Sequence, residues 1–134
     1  RPAQVTITDA ALSAFLYQET YMKQITAIIQ PHMLTKVEHA LHALPHFPGF
    51  TVLRAKGHSR GCAPGHAFLA TEWDLFEHDK VALFIVSSDE LAPRIVEAIR
   101  QNAHTGLPGD GVIVVTEAVE VVRIHSGERG DDAV

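Results

Sequence analysis

The sequence predicts an α+β fold of the ferredoxin-like type, a βαββαβ sandwich with two helices on one four-stranded sheet. Three observations predict it. A strand–helix–strand pattern occurs twice, over residues 23–56 and 80–116, which is the split βαβ arrangement. Between the two passes, residues 59–78 carry Gly61, Pro64 and Gly65 and no sustained period, so they read as one long exposed loop. The apolar runs VALFIV and VIVV are continuous rather than alternating, the pattern of strands covered on both faces. Two helices can cover only one face. A second copy of the chain is the economical cover for the other, and three sheets meeting around an axis would supply it.

The elements follow in order. Residues 1–21 read as an appendage to a domain spanning 22–134; Thr8 or Asp9 could cap a short helix through Ala10, Leu12, Phe15 and Leu16. A natural start at Met22 fits that division. Residues 23–30 are rich in β-branched side chains and read as a strand. Pro31 ends it and opens a helix with Leu34, Val37, Ala40, Leu41 and Leu44 at helical spacing. A Pro- and Gly-bearing loop over 45–49 leads to a strand over 50–56, and a third strand covers 80–87. Asp89 is placed to cap the second helix, whose apolar face is Leu91, Ile95, Val96 and Ile99, with Pro93 tolerated in its first turns. The last strand covers 112–116, and a tail with Val119, Val121, Val122 and Ile124 follows.

Composition narrows the function. The chain has 134 residues, 46% hydrophobic and 20% charged, ordinary for one globular domain. A net charge of −5 argues against a nucleic-acid partner. Any anionic ligand therefore needs locally placed arginines and backbone N–H groups. A single cysteine, Cys62, allows no internal disulfide and fits a reducing, cytoplasmic setting. No apolar run is long enough to insert into a membrane. No Ser–His–Asp arrangement or general-base motif is legible, so no enzyme is expected.

Chemistry concentrates at His104-Thr105-Gly106-Leu107-Pro108-Gly109-Asp110-Gly111, between the second helix and the last strand. Three glycines in eight residues supply positive φ and let a ligand approach the main chain. Successive N–H groups in such a turn form a concave nest for anions, phosphate above all. The plainer reading is a tight turn that needs glycine for its geometry alone. Nine histidines are a second feature. His58, Cys62 and His66 recur every four residues at the base of the long loop, and imidazole and thiolate suit Zn²⁺ or copper. They converge only on a helix, which Pro64-Gly65 opposes, and a mobile polar loop with a free thiol is the simpler account. His39, His42 and His46, on or after the first helix, read as a solvated face. Phe68, Trp73 and Phe76 in the loop are packing residues or apolar anchors for a partner protein.

The order MKQITAIIQP, FTVLRAKGHSRG, HTGLPGDGVIVV and VVRIHSGERGDDAV resembles the PII signal-transduction proteins (nitrogen-regulatory PII) over residues 22–134. The resemblance implies a cytoplasmic homotrimer, not an enzyme. It implies an adenine nucleotide (ADP, AMP or ATP) between neighbouring subunits and a long loop that grips a target protein. Carried over by position, Gly109, Asp110 and Gly111 resemble the phosphate-cradling loop. Arg60, Arg123 and, in place of a second tail arginine, His125 resemble the phosphate-binding residues. Thr51 and Gly57 match positions on the adenosine side. Loss of Arg123 would then weaken a nucleotide by about one to two decades, the worth of one charge-assisted bond.

Departures from the pattern carry their own implications. Gly61 stands where relatives that respond to ATP and 2-oxoglutarate carry a glutamine, so 2-oxoglutarate sensing is not expected. Lys80 resembles the lysine that approaches the oxo-acid. Val112 and His125 replace two permanent cations near the phosphates, which favours ADP or AMP. Trp73 occupies the place of the loop tyrosine that relatives have uridylylated, and it offers no hydroxyl. These differences place the chain in a divergent PII-like branch. The partner contacted through residues 59–78 is then a protein such as a transporter or a metabolic enzyme. The second reading is a metal- or bicarbonate-responsive trimer, resembling copper-tolerance cousins of the fold and using Cys62, His66 and His58.

Overall fold

The computed structural model describes residues 22–58 and 77–134, with the side chains of His58, Glu77 and His78 excepted. Four strands, β1 (Met22–Ile29), β2 (Thr51–His58), β3 (Glu77–Ser88) and β4 (Gly111–Ala118), form one antiparallel sheet in the order β2-β3-β1-β4. Helix α1 (Leu34–His42) links β1 to β2 after a 3₁₀ turn at Pro31–Met33, and α2 (Ala92–Ala103) links β3 to β4. This is the expected βαββαβ sandwich.

The core lies between the sheet and the helices. Ile25, Ala27 and Ile29 of β1 stand opposite Ile85, Leu83 and Val81 of β3 on the helix-facing side, all buried. Val37 and Leu41, one turn apart on α1, and Ala92, Ile95, Ile99 and Ala103 on α2 close over them. Residues of opposite parity face away. Ile28, Ala82 and Leu53 share one register row, and Thr26, Phe84, Thr51 and Val114 the next. On this face Leu53, Phe84, Val112 and Val114 are exposed. Among the described residues no helix covers this largely apolar second face, the condition under which a second copy is the expected cover.

Several boundaries differ from expectation. β2 and β3 pair out to Gly57↔His78 and His58↔Glu77, so Glu77 and His78 belong to a strand rather than to the loop. Polar GH and EHD segments hide this extension, because ladder hydrogen bonds rather than apolar alternation carry it. Asp89 does not cap α2. Its carboxylate lies 3.2 Å from the Lys23 ammonium, and the amide of Leu91 instead donates to Ser88 Oγ at 3.3 Å. His42 is exposed but not merely solvated, since its ring meets Phe47 edge-on at 5.7 Å and lies 5.9 Å from Phe50. The tail is ordered by a bridge between Val122 and Arg129, an Arg129–Glu120 ion pair and a 3₁₀ turn at Gly130–Ala133.

Candidate functional site

The glycine loop sits where β4 begins, beside the end of β1 and the projecting β2–β3 ribbon. Gly106, Gly109 and Gly111 all have positive φ, at 85°, 93° and 117°. At Gly111 an added Cβ would drive into the carbonyl oxygen of Ile28, because the residue is paired with Ile29 across the β1–β4 ladder. Geometry alone thus accounts for that glycine. Gly109 differs: its carbonyl oxygen accepts from Gln30 Nε2 at 2.8 Å and from Lys80 Nζ at 3.0 Å.

Lys80 is the unusual member of this cluster. Its residue is only 6% exposed, and among the described residues no carboxylate lies within ion-pair distance of its ammonium. Gly57, diagonal to it on β2, leaves the room for its stem, since a Cβ there would stand 3.4 Å from Lys80 Cγ. Its hydrogen-bond partner among the described residues is a neutral carbonyl, and a buried cation without a counter-charge is costly. The arrangement can therefore neutralise an anion brought to the loop.

Asp110 braces the loop from within. One carboxylate oxygen accepts from the Thr105 amide at 2.8 Å and the other from the Thr105 hydroxyl, while His104 Nδ1 lies 3.3 Å away. The Thr105 hydroxyl first, then its amide, and least His104, hold the Asp110 carboxyl below the usual carboxylate range. Leu107 N–H in turn donates to Thr105 Oγ1 at 3.2 Å. The Asp110 side chain is thus committed to the turn, and what this residue offers a ligand is its main chain.

Arg123 and His125 lie elsewhere. Arg123 N–H donates to Glu128 O at 2.8 Å and its carbonyl accepts from Gly127, so the SGE turn fixes the backbone while both side chains stay exposed. The tail leaves the far end of β4, where Ala118 pairs with Met22, whereas the glycine loop enters at Gly111. Eight residues of strand separate the two, about 25 Å. Thr51 lies between, exposed on the open face of β2. A single chain brings Gly57, Gly109, Asp110 and Gly111 together with Lys80 and Gln30, and holds Arg123 and His125 apart from them. Gln30 was not singled out in the sequence. A polar residue just before Pro31 at the end of a strand was the only sign of it.

Arg60, Phe68, Trp73, Phe76, Cys62 and His66, and the side chain of His58, fall outside the described residues. Among the described residues no three His, Cys, Asp or Glu side chains converge as a metal site would require. No described helix is long and apolar enough to cross a membrane.

The family described as Nitrogen regulatory protein P-II matches residues 22–128. The chain belongs to the PII family. It is 44% identical over 113 residues to the Nitrogen regulatory protein P-II of Azospirillum brasilense and 42% identical to that of Rhodospirillum rubrum. Both alignments cover 84% of this chain and all of the relative. A crystal structure of Arabidopsis thaliana PII bound to citrate superposes with a TM-score of 0.67 at 25% identity, covering 91% of this chain and 99% of that one. PII proteins are signalling regulators rather than enzymes, and this chain is one of them. The family binds small-molecule effectors, citrate in the Arabidopsis structure. Its members act as trimers on partner proteins.

Proposed function

We propose that this PII protein binds an adenine nucleotide, ADP or AMP in preference to ATP, between copies of itself, and regulates a partner protein through residues 59–78. The observation that carries the reading is Lys80: a buried ammonium, without a carboxylate partner among the described residues, aimed at the carbonyl of a positive-φ glycine in the loop. Phosphate oxygens supply the missing charge, and N–H groups of the turn complete their coordination. Arg123, at the other end of the sheet, reaches the same phosphates only from a neighbouring copy. The exposed face of Leu53, Phe84, Val112 and Val114 supports such a neighbour, since an apolar patch of this kind marks an interface. A trimer that closes around these faces puts the glycine loop of one copy beside the tail of the next. Loop residues 59–78 then adjoin the ligand, because the strands that carry them, β2 and β3, also carry Gly57 and Lys80. The partner is a cytoplasmic enzyme or a transporter facing the cytoplasm.

Calorimetric titration of ADP, AMP and ATP tests the reading, alongside the Lys80→Met variant and light scattering. Sub-millimolar binding by the native chain and its loss in Lys80→Met are expected, with the assembly unchanged in mass. Absence of binding for all three nucleotides at millimolar concentration would overturn it.

A further inference from the structure

Pro31 restricts the residue before it, because the proline ring clashes with a helical backbone there. Gln30 accordingly lies extended, at φ −69° and ψ 135°, and continues the line of β1 past its last paired residue, Ile29. The β1–β3 register runs Ile28↔Ala82 and Ile29↔Val81, so its next step brings Gln30 beside Lys80. Both side chains converge on one acceptor. The Gly109 carbonyl takes Gln30 Nε2 at 2.8 Å and Lys80 Nζ at 3.0 Å. The two heads lie against that glycine, where an added Cβ would stand 3.5 Å from Gln30 Nε2 and 4.0 Å from Lys80 Nζ. A carbonyl oxygen has two lone pairs, so these donors saturate it. One donor is charged and the other neutral, and that difference separates their duties.

Resting on the nucleotide reading above, we infer that Gln30 is a positioning residue of the phosphate site: it keeps hold of the Gly109 carbonyl while Lys80 exchanges that carbonyl for a phosphate oxygen. An ammonium gains more from an anionic oxygen than from a neutral one, so Lys80 is the donor that leaves. Without Gln30 the carbonyl would then lose both donors and turn a bare partial negative charge on the arriving phosphate. A neutral amide suits this duty, because it satisfies the oxygen without competing for the anion. Gln30 thus acts through Gly109 and does not itself touch the ligand. The alternative duty is a plain tether between loop and sheet, which senses no anion.

The experiment uses Gln30→Met, which keeps the length and removes the donor, and Gln30→Glu, which keeps the shape and offers Lys80 a carboxylate. Each is titrated with ADP and, separately, with inorganic pyrophosphate, and melted without ligand. Gln30→Met should lose about three- to tenfold in affinity for both probes, the worth of one hydrogen bond. Gln30→Glu should lose about tenfold more again, because its carboxylate occupies Lys80 and repels phosphate, yet should melt no lower than Gln30→Met. Unchanged affinity in both variants overturns the inference and leaves the nucleotide reading standing. Equal losses in the two variants overturn it in favour of a tether. A loss for ADP without one for pyrophosphate places the effect away from the phosphates and overturns it too. In the native chain, the nuclear magnetic resonance signal of the Gln30 side-chain amide bonded to Gly109 should persist at saturating pyrophosphate, a readout that needs no variant to fold. Its return to the position of a free amide on binding overturns the inference. Failure of the native chain to bind either probe removes the nucleotide reading, and this inference with it.

Discussion

Two glycines of the same loop make a controlled comparison. Gly106 has a φ of 85° with nothing within 4 Å of where a Cβ would stand, so alanine there meets only the backbone penalty, about 1 kcal/mol. Gly111 adds to a φ of 117° a collision with the Ile28 carbonyl inside the β1–β4 ladder. Gly111→Ala should therefore cost about 3 kcal/mol or more, from strain plus lost ladder bonds, and Gly106→Ala no more than about 1. Urea denaturation of both variants checks this, and equal costs would contradict it. Asp110 gives a pH-dependent counterpart. Its folded-state pKa lies below the ordinary carboxylate value, chiefly through the Thr105 hydroxyl. The bond therefore contributes stability above the ordinary pKa near 4 and loses it as pH falls through the lower, folded value. Thr105→Val should be less stable than the native chain at pH 7, and the gap should shrink as pH falls through 4 towards 2. A gap independent of pH would point to packing rather than to this carboxylate.

At the scale of elements, the start of α2 shows how a local rule loses to tertiary partners. Asp89 precedes an apolar helix and fits the sequence signature of a cap, yet the structure turns it to Lys23 on the neighbouring strand. Ser88 Oγ takes the Leu91 amide instead. Ser88→Ala should cost about 1 kcal/mol, the net worth of a partly buried hydrogen bond. Asp89→Ala should cost less, because an ion pair this exposed is screened and worth little. Thermal melts in 0.15 M salt decide the order, and a larger loss in Asp89→Ala would restore the capping role. The same contrast governs what the sequence could reveal. Val37, Leu41, Ile95 and Ile99 announced both helices because burial repeats at helical spacing. Gln30, the polar ends of β2 and β3 and the Val122–Arg129 bridge have no such period. Gln30 and the strand ends are fixed by partners distant in sequence, such as Gly109 for Gln30, which leave no local trace, and the bridge is held by backbone bonds of a short turn that carry no apolar period.

For the whole molecule, the decisive fact is that the glycine loop and Arg123 lie at opposite ends of β4. In the folded chain the tail that carries Arg123 leaves the sheet at Ala118, away from the loop, so a site using both is drawn most directly from two copies. This makes a prediction that single variants cannot. Lys80→Met should abolish nucleotide binding by removing the cation at the loop, and Arg123→Ala should weaken it by about one to two decades. A shared site then permits rescue. When the two variants are unfolded together and reassembled at equal amounts, some interfaces pair an intact loop from the Arg123→Ala copy with an intact tail from the Lys80→Met copy. Random closed assembly places that pair at about a quarter of interfaces, because each side is drawn independently from two equally abundant chains. Titration should therefore recover about a quarter of the native stoichiometry at native affinity, while either variant refolded alone recovers no site of native affinity. A site built within one chain forbids this result, since every chain in the mixture carries one defect. Recovery would fix the neighbour as donor of the arginine; its absence, with mixed assemblies shown by mass spectrometry, would return both groups to separate roles.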